Sequence, residues 1–160
     1  MIRLLGRAFL LLFSSSLVLG AQTQGEIVPE SVPTSFEIPE NWLGWTPARV
    51  YEALGSPEEV LAVVQQEIPE AIHYYSNFTY FFWYQSRVRQ IRIDRRFQGS
   101  FSGLKMGLTR KEVVALLGEP LGEGDLWVSY QLKADFFPRR LRLIFEDNKL
   151  VDAYYYRSDL

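Results

Sequence analysis

The chain of 160 residues contains no cysteine and a single histidine. Without cysteine there is no disulfide framework, no thiol nucleophile and no lipobox residue to acylate. His73 has no second histidine beside it, and no pair of carboxylates stands at a metal-binding or acid/base spacing. No catalytic residue, metal or cofactor is therefore expected, and His73 reads as a strand-edge residue. The run from Gly118 to Gly124 lacks the Lys-Ser/Thr of a phosphate loop, and its glutamates would repel phosphate. An excess of positive charge is also missing. Setting aside Arg3 and Arg7 leaves 15 basic residues against 19 acidic ones, a net charge of −4, which argues against a nucleic-acid footprint. Long hydrophobic runs are absent too: the apolar stretch 8–19 falls short of the about 20 residues of a membrane span.

That stretch follows Arg3 and Arg7 and precedes the small pair Gly20-Ala21, so residues 1–20 read as a secretory signal peptide. The expected location is exported, periplasmic or secreted. Membrane contact would come only through an uncleaved signal or a membrane-protein partner. Residues 21–41 hold three prolines, four glutamates and no basic residue, and read as an extended acidic linker.

What is present, beyond 48% hydrophobic content, is a repeat. GWTPARVYEALGSP, residues 44–57, aligns without a gap on GLTRKEVVALLGEP, residues 107–120, with six identities at an offset of 63. Thr46 and Thr109 read as helix N-caps. Pro47 fits the first helical position of one copy, and Glu112 closes a capping box in the other. Val50 and Leu54, like Val113 and Leu117, share one helix face. Gly55 and Gly118 read as left-handed caps, with Pro57 and Pro120 preventing continuation. Ser56-Pro57-Glu58-Glu59 reads as a further capping box, starting a second helix through Val60 and Leu61 to about Gln66. The second copy passes straight to a strand. Strands are expected at 72–76, 78–85 and 88–97, and again at 126–132, 140–146 and 150–157, the last two joined by an Asp147-Asn148 turn. The fold class is α+β: two tandem helix-plus-antiparallel-meander repeats, residues 42–102 and 103–160, forming one curved sheet with helices on one face.

The pattern Gly107-Leu108-Thr109, Val113, Leu117-Gly118, Pro120, then Trp127 and Tyr130, then Leu141, Leu143 and Phe145 before an Asp-Asn turn, resembles the SmpA/OmlA-type (BamE-like) outer-membrane assembly modules. It is equally similar to the tandem-repeat β-lactamase inhibitor (BLIP-like) proteins. The resemblance implies a non-catalytic, exported, protein-binding module, and covers nearly all of residues 44–156. This chain departs from the first group in having two repeats and no cysteine to lipidate, and from the second in having no disulfide.

The stretch YYSNFTYFFWY, residues 74–84, carries rings at both parities. Alternation offers an even set, Tyr74, Phe78, Tyr80, Phe82 and Tyr84, to bury under the helices. The odd set, Tyr75, Asn77, Thr79, Phe81 and Trp83, then faces outward beside Arg92. In the second copy Val128, Tyr130, Leu141, Leu143, Phe145, Val151, Ala153 and Tyr155 point in, leaving Trp127, Arg140, Arg142, Tyr154 and Tyr156 outside. Trp, Tyr and Arg dominate interface hot spots, so this outer face is read as docking another protein, envelope or secreted. Its contact residues would be Tyr75, Phe81, Trp83, Arg92, Trp127, Arg140, Arg142, Tyr154 and Tyr156. The other readings are a secreted enzyme inhibitor, an envelope glycan or small-molecule binder, and a face braced by its own stacking or covered by residues 21–41. Asn77-Phe78-Thr79 matches a glycosylation acceptor formally, inside an expected strand, and is read as coincidence.

Overall fold

The computed structural model describes residues 42–62, 71–133 and 136–159. The expected signal peptide and linker lie outside them. Ten elements follow in order: α1 (Pro47–Leu54), β1 (Glu59–Ala62), β2 (Ala71–Tyr75), β3 (Thr79–Tyr84), β4 (Arg87–Asp94), α2 (Arg110–Leu117), β5 (Gly122–Gly124), β6 (Trp127–Leu132), β7 (Arg139–Glu146) and β8 (Lys149–Arg157). The strands make one antiparallel sheet of α+β class, ordered β1-β2-β3-β4-β8-β7-β6-β5. Each half runs inward from an edge, and β4 meets β8 at the centre with Arg92 opposite Tyr154.

Both helices start as their sequences dictate. Thr109 accepts from the Glu112 backbone N–H while the Glu112 carboxylate accepts from the Thr109 backbone, a complete capping box. Thr46 makes no side-chain cap bond, and α1 relies on Pro47, whose fixed φ suits the first turn. The helix stops differ from the expected left-handed caps. Gly55 has φ 75° and ψ −165°, and Gly118 φ 82° and ψ −164°, a region essentially reserved for glycine. A Cβ at either would meet nothing within 4 Å, so the backbone angles, not crowding, require glycine.

The expected second helix is overturned where it is described. Glu59–Ala62 is an edge strand paired on β2 from Glu59↔Tyr74 to Ala62↔Ala71, anchored by Glu58 N–H to Tyr74 O at 2.8 Å. Pairing with an aromatic neighbour strand outweighed a local capping signal worth about 1 kcal/mol. The rest of that expected helix lies outside the described residues.

One core cluster joins Val50 of α1 and Val113 of α2 to Phe81, Trp83, Ile91, Ile93, Leu141, Leu143 and Tyr155 of the sheet. The connection after β4 closes over it, with Phe101 edge-on to both Phe97 and Tyr155 and Ser102 Oγ 2.7 Å from the Tyr155 hydroxyl. Asp147 and Asn148, at φ 48° and 59°, make the tight turn that their residue types favour.

Candidate functional site: the outer face of the sheet

The parity of β3 is the reverse of the expected one. Tyr75, Phe81 and Trp83 are 5%, 0% and 3% exposed and belong to the core. Trp42 stacks on Phe81 at 5.5 Å, and Trp83 lies 4.9 Å from the His73 ring. The cause is register: Phe81 sits opposite Ile91, and Tyr80 opposite Arg92. An Ile-Arg-Ile alternation can bury only its isoleucines cheaply, and it fixes the side taken by its neighbour. Asn77 and Thr79 point the wrong way as signals. Asn77 belongs to a turn with Phe78 at φ 65°, and the buried Thr79 satisfies its hydroxyl by donating to Asn77 Oδ1. The acceptor-like triplet therefore has Asn77 and Phe78 in the turn and Thr79 at the start of β3. His73 is also not at an edge. It lies in β2 between β1 and β3, 6% exposed, with its ring against Tyr51 and Trp83, and burial lowers its pKa.

The outer face thus carries Tyr74, Tyr80, Phe82 and Tyr84 from the first half, all half-buried, and Trp127, Arg140, Arg142, Tyr154 and Tyr156 from the second. Of the expected contact residues, those five and Arg92 come together on this face; Tyr75, Phe81 and Trp83 do not. Two ladders of opposed residues cross the sheet. One runs Tyr74, Tyr80, Arg92, Tyr154, Arg142, Ser129; the other runs Phe82, Gln90, Tyr156, Arg140, Gln131. In the first, Arg92 and Arg142 flank Tyr154; in the second, Gln90 separates Phe82 from Tyr156, and Arg140 follows Tyr156. Arg92 lies 5.3 Å from the Tyr80 ring and 5.9 Å from Tyr154, and Arg142 lies 5.1 Å from Trp127 and 5.7 Å from Tyr156. Such contacts are worth about 0.5–1 kcal/mol at exposed sites.

Charge is distributed unequally across this face. Arg92 donates from Nε and Nη2 to the two oxygens of Asp152, both at 2.9 Å, a paired geometry that raises its pKa. Arg96 donates to Asp94, which also accepts from the Tyr80 hydroxyl at 3.1 Å. Burial alone would raise the Asp94 pKa, but the Arg96 and Tyr80 hydrogen bonds outweigh it and hold the carboxyl below its usual range. Burial raises the hydroxyls of Tyr80 and Tyr154, with the neighbouring Asp94 and Asp152 adding to it, so both stay protonated donors at neutral pH. Arg140 and Arg142, by contrast, form no ion pair among the described residues. Arg140 Nε is shielded from water and meets no acceptor.

Among the described residues no group of His, Asp and Glu could hold a metal ion, and no helix is long and apolar enough to cross a membrane. No protein-family model matches the chain, and neither a curated protein nor a solved structure matches it.

Proposed function

We propose that the chain is an exported, non-catalytic protein-binding module, of the kind found in cell-envelope or outer-membrane assembly, built from two related helix-plus-meander repeats. It docks its partner on the outer sheet face. The observation that carries this reading is that seven rings, Tyr74, Tyr80, Phe82, Tyr84, Trp127, Tyr154 and Tyr156, stay half exposed on a face opposite a core already complete without them. Rings anchored this way lose little conformational entropy on contact, which is what makes Tyr, Trp and Arg dominate interfaces. The repeat is supported by the 63-residue offset, which carries Glu59–Ala62 onto residues 122–125, where Gly122–Gly124 is the opposite edge strand. The BamE-like and BLIP-like resemblance adds the export and the partner-binding role.

Affinity capture with the tagged full chain from native envelope and secreted fractions tests it. Trp127→Ala with Tyr156→Ala should lose the captured protein while the thermal midpoint moves by less than about 4 °C, a shift worth roughly 1 kcal/mol at this size. Capture of the same protein at wild-type yield by that variant would remove the face as the docking site.

A further inference from the structure

We infer that the partner reaches this face with an extended acidic segment, whose carboxylates seat on Arg140 and Arg142 in the β6–β8 half. The inference rests on the reading that the face binds a protein, and adds where and by what chemistry.

The two halves of the face differ in what their guanidiniums still lack. On the first half Arg92 is paired with Asp152 of β8, and Arg96 with Asp94. Among the described residues Arg140 and Arg142 have no carboxylate partner, in a chain whose formal net charge is −2. A local positive excess on a negative protein is not a general polyanion surface; it selects a partner group at one place. Arg142 lies over the Trp127 and Tyr156 rings yet is exposed, so its N–H groups remain open to a carboxylate. Arg140 is half-buried beside it, so any carboxylate it meets is met by the part of its guanidinium that still reaches the surface.

Spacing narrows the partner further. The two arginines are two residues apart on β7, so their stems leave the same face about 7 Å from one another. Carboxylates on alternate residues of an extended chain repeat at the same distance, whereas consecutive acids point to opposite sides. The segment recognised therefore reads acidic-x-acidic, with Tyr154, Tyr156 and Trp127 flanking it.

The test is fluorescence anisotropy of the full chain with a labelled peptide of alternating glutamate and threonine, against the same peptide carrying glutamine. The glutamate peptide should bind at least about tenfold more tightly, and lose that advantage as salt rises toward about 1 M. Arg140→Gln with Arg142→Gln should remove the preference. Lys105→Gln with Lys111→Gln, which deletes two charges elsewhere, should keep it within about twofold. Equal binding of the two peptides, an unchanged preference in the arginine variant, or equal binding of a short oligothymidylate would each overturn the inference. So would an approximately tenfold gain in peptide affinity on changing Glu26, Glu30, Glu37 and Glu40 to glutamine, because the chain's own segment would then be the occupant. If partner capture still depends on Trp127 and Tyr156 while the peptides show no preference, the acidic segment is wrong and the docking face stands. If capture ignores those residues, the docking face itself fails.

Discussion

Two adjacent phenylalanines in β3 are chemically identical and energetically unlike. Phe81 is wholly buried between Trp42 and the Tyr75 ring, while Phe82 stands half exposed opposite Gln90. Phe81→Ala should cost about 3–5 kcal/mol, the range for emptying an aromatic site, and Phe82→Ala less than about 1.5 kcal/mol. Urea unfolding of the two variants decides the parity of the strand, and equal losses would contradict it. The stretch 74–84 could not decide this alone, because both of its faces are aromatic and its polar residues suggest the wrong side. The Ile91-Arg92-Ile93 alternation of the next strand holds the answer: pairing Tyr80 with Arg92 sends the even residues out. His73 follows the same parity and lies within the core. Its lowered pKa means that the unfolded chain binds the proton more readily than the folded one. Stability should thus be intact well above pH 6.5 and fall as pH drops through 6.5 toward the depressed folded value. His73→Phe, which keeps a ring against Tyr51 and Trp83, should remove that component of the acid loss in thermal melts at pH 7.5 and 5.5.

At the scale of elements, local chemistry was legible at α1 and α2, where a capping signal, a hydrophobic period and a glycine stop agreed. Both helices, the three strands of each meander and the Asp147-Asn148 turn lie within a few residues of where their patterns put them. The outer set of the second half was legible for a further reason: Leu141 and Leu143 alternate with Arg140 and Arg142, which marks the side to be buried although Ile144 falls on the other face. The failure at β1 has a physical cause. Ser56 through Glu59 carries a helix-start signal, but the apolar residues that follow pair on β2, and long-range pairing is invisible to a local pattern. The two helix starts also separate by mechanism. Thr109→Ala should destabilise by about 1 kcal/mol because its side chain accepts the Glu112 N–H, whereas Thr46→Ala should cost clearly less because that side chain caps nothing. Denaturant midpoints at constant slope would test the pair, and equal costs would mean that the capping box contributes little.

The whole sheet is where stability and the proposed recognition meet. β4 and β8 pair along Gln90–Asp94 and Asp152–Tyr156, and the residues inside that seam, Ile91, Ile93, Ala153 and Tyr155, belong to the one core cluster that both helices share. On the other side of the same seam the Arg92–Asp152 pair binds the first half to the second across the outer face. Neither half has an independent core, so separating them would expose the inner face of a four-stranded sheet along its central strand. The described protein should therefore unfold in one cooperative transition, with far-UV circular dichroism and tryptophan fluorescence tracing coincident curves. Fluorescence is informative because Trp42, Trp45 and Trp83 report the first half and Trp127 the second. A seam substitution such as Ile93→Ala should lower both signals together by about 2–5 kcal/mol, since a cavity at the centre weakens both halves at once. Two separated transitions, or a loss confined to one signal, would mean that the halves are autonomous. The aromatic face would then be two separate surfaces that the proposed partner would have to bring together, rather than one surface continuous across the seam beneath it.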